Sequence, residues 1–209
     1  RYGDRLVPIE VGVINVDAER GGSGGEAAPA KRHRSNGGPG AASAVDDSGW
    51  SERITTMRDF LSRLREAVPP EQKGYLAQHP LFDQMPGLRA DFEAPRLCAV
   101  GRLQHINAWL GPAGTITPLH FDSYDNFLAQ AVGFKYVRLY AESETARLYP
   151  LTRRGDGLLA QGNVSAVNAE QPDLRRFPLF ADAEYTEVVL APGEMLFIPA
   201  RCWHFVRSL

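Results

Sequence analysis

From Arg96 to the end of the 209-residue chain, the sequence is a succession of short apolar, β-branched and aromatic runs separated by Gly, Pro and Asp. Runs of this length with turn residues between them are typical of β-strands. They predict strands at 97–100, 105–110, 115–121, 127–132, 135–140, 186–190, 194–198 and 203–206. The pattern favours a sandwich or barrel over alternating β and α units, so we expect a mainly β jelly roll.

A histidine and an aspartate end one of these strands. Alternate residues of a strand point to the same face, so His120 and Asp122 should present an imidazole and a carboxylate side by side. His204, in the last predicted strand, could supply a third ligand. Two histidines and one carboxylate form the facial triad of non-haem Fe(II) oxygenases. A His-x-acid triplet is expected by chance about 0.6 times in a chain of this composition, so ordinary strand histidines remain an equal alternative.

Lys135 interrupts an apolar strand face. Alternation through 134–140 places it beside Val137 and Leu139. A buried ammonium group costs several kcal/mol unless it is paired. Either an anion binds here, or the strand end is open and the side chain reaches water.

The first hundred residues have a different texture. Leu6–Val11 predicts a short strand, placed near a sheet edge by Pro8. A helix is predicted from an N-cap at Ser51 to Pro69, with an apolar stripe that puts its members in the core. The stripe consists of Ile54, Met57, Leu61, Leu64 and Val68. Beyond it, prolines at 80, 86 and 95 predict a loop with at most one helical turn.

The length fits one large domain or two small ones, with 44% apolar residues to build a core; the family resemblance described below implies a single domain over residues 1–209. Residues 17–49 are rich in Gly, Ser and Ala and predict a disordered insertion. Its basic cluster at 31–34 could be a localisation or nucleic-acid patch, or simply solvated charge. A net charge of −2 does not favour nucleic acid or lipid as a partner.

Cysteine content and hydropathy bear on the compartment. Two cysteines, Cys98 and Cys202, are too few for a disulfide framework, and we read Cys202 as a core residue. No apolar run is long enough to predict a transmembrane helix. We therefore expect an intracellular protein, nuclear or cytoplasmic, with no membrane association.

Six blocks of the sequence, in this order, resemble a Jumonji-C domain. They are 75–84, 106–109, 115–120, 126–128, 135–140, and 192–199 with 203–204. Within that family the chain is most similar to a small group named for lysine demethylation. The resemblance implies a double-stranded β-helix that binds Fe(II) and 2-oxoglutarate, with His120, Asp122 and His204 as metal ligands. The family has a further strand after the second histidine, so we expect a fragment of a longer chain that lacks the final strand.

The same resemblance implies how 2-oxoglutarate is held. Lys135 would receive its distal carboxylate, with Tyr75, Thr117 and Asn126 assisting. Trp109 would form a wall of this pocket beside the metal. The buried lysine would then have the anion that its strand position requires.

For this group the resemblance suggests hydroxylation at C3 of an arginine side chain in a protein substrate, with O2 as co-substrate. Methyl-lysine demethylation is the alternative, and a non-catalytic jelly-roll binding module is a third. Glu10, Trp50 and Trp109 match positions that contact the substrate guanidinium, a group that carboxylates and aromatic faces both bind. Read without the family, Glu10 could be a solvated edge-strand acid and Trp50 could pack at the start of the helix.

Overall fold

The computed structural model describes residues 2–12, 51–67, 70–151 and 162–209. The predicted insertion at 17–49 and Trp50, which the resemblance assigns to the substrate site, lie outside the described residues. Within them, the strands are β1 (Leu6–Val11), β2 (Ser51–Thr56), β3 (Leu76–His79), β4 (Ala108–Leu110), β5 (Ile116–His120), β6 (Asn126–Ala129), β7 (Lys135–Tyr140), β8 (Thr186–Leu190), β9 (Met195–Ile198) and β10 (Trp203–Ser208). The α-helices are α1 (Met57–Leu64), α2 (Pro70–Lys73) and α3 (Leu81–Gln84). Four 3-10 helices cover Pro86–Asp91, Arg96–Ala99, Glu142–Leu148 and Pro178–Asp182.

The functional half of the molecule is built on a four-stranded antiparallel sheet in the order β5-β10-β7-β8. A second antiparallel pair, β6-β9, contributes Leu128 and Leu196 to a small core against the first sheet. That core contains Val137, Leu190 and Val206. Two β-layers with apolar residues between them confirm the predicted jelly roll.

The opposite face of the four-stranded sheet is covered by the chain that connects β7 to β8. Trp203, Phe205 and Tyr140 lie on that face and pack with Leu148 and Phe180 of the connecting segment. This side is therefore closed by protein. The face carrying Val137 and Val206, which we call the inner face, is the one left to form a pocket.

The N-terminal part forms a separate apolar cluster beside these sheets. β1 pairs with β2, and β3 pairs with β4. Val7, Ile9, Phe60 and Leu76 are fully or almost fully buried in this cluster. Because these side chains come from strands and a helix together, α1 is fixed by tertiary packing.

The predicted helix start at Ser51 is wrong. Residues 51–56 form β2, and α1 begins at Met57, where the Thr56 hydroxyl accepts a hydrogen bond of 3.1 Å from the Asp59 backbone N–H. Three successive β-branched residues, 54–56, favour a strand, and this strand pairs with β1. Met57 is buried as predicted, but Leu61 is 39% exposed and Ile54, on the strand, is 64% exposed.

Three further predictions between residues 80 and 110 are corrected. Residues 97–100 do not form a strand; Arg96–Ala99 is a 3-10 helix that follows Pro95, whose fixed φ suits the start of a helical turn. The predicted loop also holds α3 and a second 3-10 helix, more than one turn. The strand predicted at 105–110 is reduced to β4. The remaining strands lie within three residues of their predicted bounds. Among the described residues, no helix has the length and apolar character to cross a membrane.

Candidate metal centre and cofactor pocket

The three proposed ligands meet at one end of the four-stranded sheet. His120 on β5 and His204 on β10 are direct cross-strand partners, and their rings are 4.2 Å apart between centroids. The Asp122 carboxylate lies 4.0 Å from Nε2 of His120 and 3.8 Å from Nε2 of His204. One donor atom from each residue falls within 4.8 Å of the others.

These separations are wider than those around a bound ion. Two donor atoms at about 2.1 Å from one ion and at right angles to each other lie about 3.0 Å apart, so the carboxylate and the two imidazoles would have to close by about 1 Å around it. Two imidazoles and one carboxylate on neighbouring strands match the donor set of non-haem Fe(II) sites.

Each histidine ring is oriented by the backbone carbonyl two residues before it. Nδ1 of His120 hydrogen-bonds the carbonyl oxygen of Pro118 at 2.7 Å, and Nδ1 of His204 that of Cys202 at 3.0 Å. A carbonyl only accepts, so each Nδ1 carries the proton and each Nε2 is left with its lone pair. Metal-binding histidines are commonly held in this way. The donor atoms are therefore those facing Asp122.

His204 is deeply buried, and its electrostatics favour the neutral ring. Burial, aided by the neighbouring His120, lowers the pKa of His204 to about 4. At neutral pH its Nε2 is therefore unprotonated, the state required for metal binding. The hydrogen bond to the Cys202 carbonyl and the nearby Asp122 charge oppose this shift without reversing it.

A β-bulge brings Thr117 to the same face as the ligands. On β10, His204 and Val206 are two residues apart, whereas their partners on β5, His120 and Thr117, are three apart. Cross-strand partners share a face, so the extra residue of β5 turns Thr117 toward the inner face. Strict alternation would have pointed it away from the metal ligands.

Lys135 lies on this inner face too. It is the β7 partner of Ser208, in the alternating series that includes His204 and Val206 on β10. Its side chain is only 8% exposed, and burial lowers the pKa of its ammonium group. Within the described part of the chain, no acidic group pairs with it, and its Nζ lies 6.0 Å from the ring centroid of Tyr75. Of the two sequence-based alternatives, the structure favours a buried cation over a side chain extended into water.

Tyr75 lies near that ammonium group, and its side chain hydrogen-bonds that of Thr117. Burial raises the pKa of Tyr75 to about 12, against the opposing effect of its hydrogen bond with the Thr117 side chain. Its hydroxyl therefore stays protonated and able to donate. A phenol, a hydroxyl and an ammonium group around one space form a pocket suited to a carboxylate.

Comparison with known proteins places the chain in a family. Residues 17–209 match the family described as a cupin-like domain. The chain belongs to this family. The cupin-like domain is 47% identical over 171 residues to "Lysine-specific demethylase 8" of Danio rerio, covering 80% of this chain and 41% of that protein. It is 44% identical over 173 residues to the Xenopus tropicalis protein of the same name, covering 80% and 37%.

A third relative carries the Jumonji-C name. "Jumonji C domain-containing protein 5" of Drosophila melanogaster is 39% identical over 168 residues, covering 76% of this chain and 40% of that protein. The resemblance to the Jumonji-C family is thus confirmed, and this family uses Fe(II) and 2-oxoglutarate. The cupin-like domain spans about two fifths of the length of these relatives.

The remaining site residues of the cupin-like domain are brought together to different degrees. The Trp109 ring is 5.9 Å from that of Tyr75, which places Trp109 at the pocket edge, more than a third exposed. Glu10 exchanges two backbone hydrogen bonds of 2.8 Å with Tyr75, so β1 borders the same pocket. Asn126 lies at the metal end of the pocket, where its Nδ2 donates a hydrogen bond of 3.3 Å to Asp122 Oδ2.

Sequence reasoning missed the groups that orient the ligands. These are the carbonyls of Pro118 and Cys202, together with the backbone N–H of Arg201, which donates to the Asp122 carbonyl. Backbone groups carry no residue-type signal. The one available clue was the repeated spacing of two residues between each histidine and its carbonyl.

Proposed function

We propose that this cupin-like domain is an Fe(II)- and 2-oxoglutarate-dependent oxygenase that acts on a protein side chain. The observation that carries the proposal is the shared inner face. It holds two imidazoles with free Nε2 atoms, a carboxylate between them and a buried lysine without an acidic partner among the described residues.

His120, Asp122 and His204 would hold Fe(II) and leave three coordination positions open. When bound, the metal and 2-oxoglutarate supply the oxidising chemistry that no amino-acid side chain provides. The chain's own contribution is to present neutral imidazoles. The carbonyls of Pro118 and Cys202 keep both rings in the tautomer that binds metal.

Lys135 would neutralise the distal carboxylate of 2-oxoglutarate, with hydrogen bonds from Tyr75 and Thr117. The Asn126 amide, which the resemblance also assigns to this carboxylate, donates to Asp122 instead. The burial that lowers the pKa of Lys135 also strengthens its attraction to a bound carboxylate, because water screens a buried charge pair poorly. Trp109 would close the pocket beside the metal. Excluding water there protects the reacting centre from side reactions.

Two substrate classes follow from different observations. The names of the Danio rerio and Xenopus tropicalis relatives favour demethylation of methyl-lysine. Arginine C3 hydroxylation is supported by Glu10, whose carboxylate belongs to the strand bordering Tyr75 and could bind a guanidinium. Trp50 would add an aromatic wall in either case. A methyl-lysine substrate in histones would place the protein in the nucleus.

The oxygenase itself is tested by succinate formation with Fe(II), ascorbate, O2 and 2-oxoglutarate. His120→Ala should abolish it, and succinate formation at an unchanged rate would overturn the metal assignment. Mass spectrometry of peptides then separates the substrates. Formaldehyde matching succinate indicates demethylation, whereas one added oxygen on arginine indicates hydroxylation.

The non-catalytic module is separated by a binding measurement. A redox-inert divalent metal and 2-oxoglutarate should together raise the melting temperature, since ligands bound only by the folded state stabilise it. A melting temperature unaffected by both would support a binding module without turnover.

A further inference from the structure

The loop carrying Asp122 is fastened to the turn preceding His204. The backbone N–H of Arg201 donates to the carbonyl oxygen of Asp122 at 2.8 Å. The adjacent N–H of Ala200 donates to Asp125 Oδ1, also at 2.8 Å. Two consecutive backbone donors of one turn thus hold both ends of the segment 122–125.

The same turn also orients the second histidine. The Cys202 carbonyl accepts from Nδ1 of His204, and Arg201 has a left-handed backbone with φ of 63°. A non-glycine residue rarely adopts this conformation, so its surroundings must impose it. Residues 200–202 therefore position His204 directly and Asp122 through the loop.

Asp122 needs this support more than the histidines do. His120 and His204 are on paired strands, whereas Asp122 lies beyond the end of β5 and its side chain is 40% exposed. Its Oδ2 receives one hydrogen bond, from Asn126, and that residue directly follows Asp125. Releasing Asp125 from Ala200 would loosen the amide that holds the carboxylate.

Resting on the proposed metal site, we propose that Asp125 is a positioning residue for Asp122. It accepts the Ala200 N–H, docks the loop 122–126 on the turn 200–202, and so fixes the carboxylate opposite the two Nε2 atoms. It does not touch the metal. A ligand must be held within about 0.5 Å of its binding geometry to contribute fully, and a hydrogen bond from a rigid turn supplies such a restraint.

The test is metal affinity, measured with Mn(II) or Co(II) so that turnover is not needed. Asp125→Ala removes the acceptor, and we expect binding about tenfold weaker, within the range seen when groups that orient ligands are lost. Asp125→Asn keeps an oxygen at the same place and should bind within about twofold of the unaltered chain. Asp125→Glu keeps the charge but displaces the oxygen, and should resemble Asp125→Ala.

These variants separate the hydrogen bond from long-range charge. Weak binding by Asp125→Asn with normal binding by Asp125→Glu would mean that charge alone matters, and would overturn the proposal. Asp91→Ala removes an acid from an exposed position in a 3-10 helix and serves as the control. The melting temperature of each metal-free variant shows whether a loss of affinity merely reflects a loss of folding.

The outcome also separates this inference from the proposed function. Metal binding by the unaltered chain with no change in Asp125→Ala overturns the role of Asp125 alone. Failure of the unaltered chain to bind either metal, with His120→Ala behaving identically, overturns the metal site and the inference with it.

Discussion

Replacing Lys135 by methionine should stabilise the ligand-free protein and at the same time remove its response to 2-oxoglutarate. The lysine side chain is 8% exposed and no acidic partner faces it within the described residues. A buried ion costs several kcal/mol even after relaxation, and methionine fills a similar volume without that cost. We expect unfolding to become about 1–3 kcal/mol more costly, after allowance for partial hydration of the ammonium group in the open pocket.

For a chain of this length, each kcal/mol shifts the melting temperature by about 2–4 °C. The Lys135→Met protein should therefore melt roughly 2–12 °C higher in the absence of ligand. With 2-oxoglutarate at about 100 times its dissociation constant, the unaltered protein gains about 2.7 kcal/mol. The variant should gain almost no stability from the ligand. Adding 2-oxoglutarate should therefore reduce the difference in melting temperature between the two proteins or reverse its sign.

The pH dependence provides an independent check. Burial lowers the pKa of Lys135 below its unfolded value of 10.5. Between the lowered pKa and 10.5 the unfolded chain binds more protons, so stability without ligand should rise with pH across that window. Lys135→Met should lose this increment.

Differential scanning fluorimetry with and without Mn(II) and 2-oxoglutarate measures all three effects. Lys73→Met is the matched control, because Nζ of Lys73 donates to the Leu64 carbonyl at 3.1 Å and is thus satisfied within the protein. It should lose about 1 kcal/mol and keep the full 2-oxoglutarate response. A ligand-free Lys135→Met protein less stable than the unaltered one, with an undiminished response to 2-oxoglutarate, would refute the reasoning.

Three further predictions follow from the pocket, the buried histidine and the helix cap. In Gly111→Ala the new Cβ would lie 2.5 Å from Cδ2 of Tyr75 and would displace that ring. Titration should show weaker binding of 2-oxoglutarate with the metal affinity retained. An equal loss of 2-oxoglutarate affinity and metal affinity would contradict a local effect. Burial lowers the pKa of His204 to about 4, against 6.5 in the unfolded chain. The free energy of unfolding of the metal-free protein, measured by urea titration, should therefore fall by up to about 3 kcal/mol as the pH is lowered from 6.5 to 4. A free energy that does not change with pH would argue against a buried neutral ring. Thr56→Ala should cost about 1 kcal/mol by removing the cap on the Asp59 N–H, and Thr56→Ser should restore most of it; equal stability of both variants would place the helix start elsewhere.

The proximity of two candidate metal ligands could be predicted in part because their evidence is local. His120 and Asp122 are two residues apart at a strand end, which suggests a common face, although Asp122 lies just beyond β5 and is held there by its loop. His204 required a pairing between distant strands, which periodicity cannot supply. The resemblance to a family provided that pairing, and the register of β5 with β10 agrees with it.

Features that depend on tertiary context were less accessible. Thr117 is three residues before His120, so regular alternation would have placed it on the opposite face; only the bulge reverses this. Ser51 had the residue type of a helix cap, yet pairing with β1 extends a strand through Thr56. The docking of Asp125 on Ala200 joins two loops and has no signal in either segment.

The direct pairing of His120 with His204 has a kinetic consequence. The two residues are separated by about 80 residues, and closing a loop of that length carries a substantial entropic cost. An ion bound by both would cross-link β5 to β10, so separating these two strands would require breaking metal bonds as well as the strand pairing. If the metal site forms only after the folding transition state, saturation with metal should slow unfolding far more than it accelerates folding. Bound iron would then lengthen the lifetime of the folded domain.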